Sequence, residues 1–170
     1  MVRFLSIASL ASLAWLGTVF LGWLTMTDPH SSPTAVIADM VGSEVSALWL
    51  SLPAIVLLTT VLARYSSLSR VMPIIGALFA IGAFALSLFP DFYDEPSVME
   101  IVANATGLAS ASSFAIEVGI GFLAYQAMAL STAAVLTLSL FAGKREPASI
   151  TSDSSEVSAD SQSLWDDQNN

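Results

Sequence analysis

Residues 45–89 read VSALWLSLPAIVLLTTVLA, then RYSSLSR, then VMPIIGALFAIGAFALSLF. Two apolar runs, 45–63 and 71–89, flank a turn bounded by Arg64 and Arg70, and neither run holds a charge. Each is 19 residues long. As a helix of ~1.5 Å rise per residue, such a run is about 28 Å long, close to the ~30 Å hydrocarbon core of a bilayer. The connection is short, so the two helices must be antiparallel neighbours with a basic turn on one side of a membrane.

Two further runs extend this reading. Residues 4–26 precede the hairpin and residues 115–141 follow it, and all five Lys and Arg residues lie at one kind of boundary. Arg3 precedes the first run, Arg64 and Arg70 lie between the second and third, and Lys144 and Arg145 follow the fourth. Segments 27–44 and 90–117 hold eight acids and no Lys or Arg. Alternation of this kind is the positive-inside pattern. It predicts an all-α, four-helix transmembrane bundle (domain 1–143) in the cell (inner) membrane, multi-pass, with both termini cytoplasmic. The 4–26 run is longer than a signal-peptide core, and no small-x-small cleavage site follows near Trp23 to Thr27, so an uncleaved helix is expected. The fourth run exceeds the membrane thickness and is expected to tilt or protrude.

Composition excludes several functions. A net charge of −9 argues against nucleic acid, whose phosphates need Lys and Arg. There is no cysteine and only one histidine, His30, so thiol chemistry and thiolate or histidine metal sites are not expected. Phosphate-binding glycine loop, HExxH and nucleophile elbow are all absent from the sequence. No enzyme activity and no cofactor are expected.

The aromatic residues fit the same orientation. Trp23, Trp49, Phe89, Phe92 and Tyr93 fall at the outer boundary and Tyr65 beside the inner Arg64, as amphipathic rings at headgroup level do. Each outer segment has a proline followed by spaced apolar residues: Pro33 before Val36, Ile37, Met40 and Val41, and Pro96 before Val98, Ile101, Val102 and Ala105. Both are predicted as short amphipathic helices, which would make the chain a parallel two-plus-two repeat. The tail, 144–170, holds seven serines and six acids and is predicted to be disordered. Leu164 and Trp165 near its end are a candidate docking motif.

Few residues could carry chemistry. Glu117 is the acid at the edge of the fourth run: at membrane depth a carboxylate usually faces a cavity or partner and could be a substrate-amine or proton site, whereas a slide of one turn would leave it in the outer interface. Tyr125 and Gln126, two turns deeper, could line a substrate site or pack between helices. Gly76 and Ala80 form a small-xxx-small pair for close helix packing, within the bundle or between protomers. Pro53 removes a backbone hydrogen bond from the second helix.

Three features together resemble a known family. They are the four-helix plan at this length, the stretch Ser43-Glu44-Val45-Ser46-Ala47-Leu48 entering a helix before the Arg64–Arg70 turn, and the polar tail ending Leu164-Trp165-Asp166-Asp167. The chain resembles the actinobacterial tryptophan-biosynthesis-associated membrane proteins, described as tryptophan permease-like. The resemblance implies transport or sensing of an aromatic amino acid, tryptophan first, with the lipid bilayer and a homo-oligomer or partner membrane protein as surroundings. The alternative is a non-transporting accessory or structural subunit of a membrane complex. The small multidrug exporters are less similar, because they need a carboxylate deep in helix one and none lies between Phe4 and Met26.

Overall fold

The computed structural model describes residues 2–30, 35–65, 71–107 and 113–142. The chain order is α1 (Val2–Thr18), β1 (Gly22–Asp28), β2 (Ala35–Val41), α2 (Gly42–Val45), α3 (Ala47–Tyr65), α4 (Val71–Ser87), α5 (Pro96–Thr106), β3 (Ala115–Val118) and α6 (Ile120–Ala142). Helices α1, α3, α4 and α6 form a closed ring of four, each packed on two neighbours in the order α1, α3, α4, α6 and back to α1. Consecutive long helices run antiparallel. A three-stranded antiparallel sheet, in the order β2-β1-β3, stands over one end of this ring.

Four long helices form near the predicted ranges, with the largest differences at the end of α1, which stops at Thr18, and the start of α6, which begins at Ile120. α3 and α6 are long and apolar enough to cross a membrane, and α1 and α4 are shorter apolar helices. Backbone bonds from Val19, Phe20 and Leu21 to the carbonyls three residues earlier tighten the end of α1 into a 3₁₀ turn. Leu88 and Phe89 do the same for α4, which carries the helical path out to the predicted limit of 71–89.

The sheet corrects the all-α expectation. The predicted helix 4–26 stops at Thr18, and its last residues form the central strand β1. Here Leu24 and Met26 are buried while Thr25 and Thr27 are less so, a period of two that an apolar run does not announce by hydrophobicity alone. The expected surface helix after Pro33 is instead β2, paired with β1 through Leu24–Met40, Thr25–Asp39 and Met26–Ala38. The start of the predicted fourth helix is β3, paired with β1 through Leu24–Val118 and Thr25–Glu117. The second surface helix does form, as α5, with Pro96 in its first turn and Gly107 in the left-handed conformation at its end. One outer segment is strand and the other helix, so the two-plus-two repeat is not seen.

The bundle is apolar on its outer face as well as in its core. Its buried polar residues are all hydroxyls (Ser12, Thr18, Thr59, Thr60, Ser87, Thr132 and Ser139), and its inward face is rich in Ala8, Ala77, Ala80, Ala83, Ala129 and Ala133. Large apolar side chains point outward from every long helix: Leu10 is 68% exposed, Leu58 57%, Leu78 63% and Leu130 53%. A belt of this kind is an aggregation surface in water and an ordinary one in lipid. Most buried hydroxyls donate to a carbonyl three or four residues back on their own helix, as Ser12 does to Ala8 and Thr59 to Val56. Sheet, α5 and bundle share one continuous apolar core from Ala8 to Leu136.

Candidate functional site

Where the sheet meets the bundle, six aromatic rings pack together. Trp15 comes from α1, Trp23 from β1, Trp49 from the first turn of α3, Phe92 from the segment after α4, and Phe122 and Tyr125 from the start of α6. Trp23 is the hub, with ring centroids 4.9 Å from Tyr125, 5.2 Å from Phe122 and 5.7 Å from Trp49. Tyr125 also touches Trp15 at 5.3 Å and Trp49 at 5.6 Å, and Phe92 reaches Phe122 at 5.3 Å. Most of these contacts are edge-to-face, the arrangement the ring quadrupoles favour.

Local chain geometry holds Trp23 in place. Its indole N–H donates to the Thr18 carbonyl at 2.8 Å, which also accepts the Leu21 N–H at the end of α1. The Trp23 carbonyl accepts the Gly119 N–H at 2.6 Å, and the Val19 carbonyl accepts the Ser43 N–H at 3.0 Å. Three glycines make room. A Cβ on Gly42 would strike the Trp23 six-membered ring, one on Gly121 would stand 2.8 Å from Trp23 Cδ1, and one on Gly119 would stand 2.6 Å from the Gly22 carbonyl. Gly119 and Gly121 are therefore seats for β1 and its tryptophan, a role more specific than general helix packing.

The structure separates the residues singled out in the sequence. Tyr125 is fully buried in the aromatic cluster. Its neighbour Gln126 faces α4 instead, where its amide donates to the Ser87 carbonyl at 2.7 Å and satisfies the end of that helix. Glu117 is exposed on β3, outside the helix that was to carry it. Gly76 and Ala80 lie inside the bundle. A Cβ on Gly76 would meet Thr59 Oγ1 at 2.7 Å and Leu136 Cδ1 at 3.2 Å, so that pair serves the contact of α4 with α3 and α6. Pro53 is buried in α3, one turn beyond Trp49, whose carbonyl loses the usual helical donor. His30 donates its backbone N–H to Asp28 at 2.9 Å. Leu164 and Trp165 lie outside the described residues.

The cluster holds donors of its own. Trp15 Nε1, Trp49 Nε1 and Tyr125 Oη are buried without a hydrogen-bond partner, as is Thr132 Oγ1 two turns further along α6. Indole nitrogens only donate, so Trp15 and Trp49 offer their N–H groups to an acceptor, while the hydroxyls can donate or accept. Nothing in the cluster is a nucleophile paired with a base. Among the described residues, no group of three or more His, Cys, Asp or Glu could hold a metal ion. Sequence reading reached Trp23 and Trp49 only as interfacial aromatics; their meeting depends on the strand pairing. A separate apolar groove of about 300 Å³ opens outward between α3 and α4, lined by Leu52, Leu78, Phe79, Gly82, Ala83 and Leu86. No protein-family model, curated protein or solved structure matches the chain.

Proposed function

We propose that the chain is a four-span inner-membrane protein with both termini in the cytoplasm, and that it serves as a non-transporting accessory subunit of a membrane complex. Support for the topology comes from charge. Arg64 lies in the last turn of α3, at the end of the bundle away from the sheet, while the sheet side carries the acidic segments. A sheet also belongs outside the hydrocarbon layer, where its edge groups can meet water. The absence of cysteine makes the test direct. Single cysteines introduced at Asp28 and at Ser66 in full-length protein should label with an impermeant maleimide from outside and from inside, respectively. The reverse pattern, or labelling of both from one side, would overturn the topology.

The accessory role rests on one observation. The interior at the sheet end, where a substrate would sit, is filled by protein: Tyr125 is fully buried against the rings of Trp15, Trp23 and Trp49. A second reading, a carrier or sensor of an aromatic amino acid, is favoured by the unpartnered donors Trp15 Nε1, Trp49 Nε1 and Tyr125 Oη beside those rings, with tryptophan named only by the family resemblance. Initial uptake rates of labelled tryptophan, against labelled leucine, separate the two in cells lacking or overproducing the protein. The accessory role predicts equal rates in both strains. A tryptophan-selective change would replace it with the carrier reading.

A further inference from the structure

The sheet has two unlike edges. α5 packs against β2 and α2, and Ser97 donates to the Val45 carbonyl at 2.7 Å to fasten it there. β3, at the other edge, pairs only with β1 among the described residues. Natural edges are blunted by short length, charged side chains, Pro or bulges, and of these β3 has its short length and one charge, Glu117. β3 reads Ala-Ile-Glu-Val, without Pro, and its register against β1 runs without a shift, whereas the β1–β2 pairing has two irregularities.

Alternation along the ladder identifies the backbone groups that face outward. Gly119 donates to Trp23, the residue opposite it, so Glu117 and Ala115 are the next residues bonded inward to β1. The N–H and C=O of Ile116 and Val118 then face away from the sheet. Glu117 would occupy the close, non-hydrogen-bonded position toward any fourth strand, where side chains of paired residues approach most nearly. It already lies in one row with Thr25 and Asp39 across the three strands, and both acids are exposed on that face.

Charge selects the occupant. The outer segments carry eight acids and no Lys or Arg. A second copy paired through β3 about Glu117 would set that carboxylate against itself, and like charges directly opposite are unfavourable. We propose that the open edge of β3 receives an extended, basic segment of a different protein as a fourth strand, with a Lys or Arg opposite Glu117. This rests on the accessory reading and its orientation, and it names the partner's chemistry. Backbone pairing would supply affinity and the charge its specificity.

The test places a photo-cross-linking benzoylphenylalanine at Val118, which is 47% exposed, in full-length protein in its native membrane. The cross-linked peptide is then sequenced. The expected product is one protein adduct whose peptide carries Lys or Arg, with a yield that falls about fivefold in Glu117→Lys, the effect of reversing a cross-strand charge pair. Glu117→Gln, isosteric and equally exposed, should show an intermediate yield. An adduct with a second copy of this chain, with lipid alone, or with a yield unchanged by Glu117→Lys overturns the proposal. A parallel Val118→Cys variant, labelled from outside by impermeant maleimide, keeps the two readings apart. Labelling without a protein adduct leaves the topology standing and removes the docking edge, whereas labelling only from inside removes both.

Discussion

Gly42→Ala tests the junction most directly. Alanine normally favours a helical turn over glycine by up to ~1 kcal/mol, so the substitution would stabilise an unconstrained site. Here the added methyl would strike Trp23 Cε2 and stand 2.6 Å from both Cδ2 and Cζ2. The indole is held on several sides. Tyr125, Phe122 and Trp49 pack against its ring and its N–H is tied to Thr18. Overpacking of a filled core costs about 1–3 kcal/mol. Loss of the Trp23–Thr18 hydrogen bond adds about 1 kcal/mol. After the helical gain, a net destabilisation of about 1–3 kcal/mol remains, roughly a 5- to 150-fold change in the unfolding equilibrium. Equilibrium unfolding of full-length protein in lipid nanodiscs, followed by tryptophan fluorescence, would measure it. Trp23→Phe, which shrinks the ring, should recover part of the loss in the Gly42→Ala background, with a coupling of at least ~1 kcal/mol in the double-mutant cycle. A Gly42→Ala protein as stable as its parent, or two effects that simply add, would refute the wedged-indole account.

Two glycines on α4 should behave oppositely. Gly76→Ala, which meets Thr59 and Leu136, should destabilise by about 1–3 kcal/mol, and Thr59→Ala should relieve part of it. Gly82→Ala meets nothing within 4 Å and should be neutral or stabilising by up to ~1 kcal/mol in the same unfolding assay. Tyr125→Phe removes a buried hydroxyl that has no partner, so stability should hold or rise; a loss of about 1–3 kcal/mol would mean that an acceptor binds there. Gln126→Leu leaves the Ser87 carbonyl without its donor and should cost about 1 kcal/mol.

Each residue was legible to the extent that its role was local. Pro96 and the 3.6-residue spacing of Val98 and Val102 announced α5, and both valines are fully buried. Gly76 announced close packing, though not whether it lay inside the bundle or between protomers. The equivalent reading of Val36, Ile37, Met40 and Val41 failed, because that short apolar segment pairs with β1 instead. Leu24, Thr25, Met26 and Thr27 do alternate, but they follow the first apolar run without a break, and continuity outweighed the alternation. Tyr125 and Gln126 are adjacent in sequence and were grouped in one site, yet neighbours on a helix point about 100° apart, and here they serve different neighbours.

The chain by itself determines four apolar helices and the run boundaries at which its few cations fall, because hydrophobic length and charge placement are properties of contiguous residues. Only the tertiary structure decides that the outer segments combine into a sheet over the bundle. Strand pairing joins Leu24 to Met40 and to Val118, residues whose separation in sequence carries no periodic signal. The aromatic hub follows from that pairing, since Trp23 reaches Tyr125 only when β1 turns back over the end of α1, and Gly42, Gly119 and Gly121 matter only once an indole lies against them.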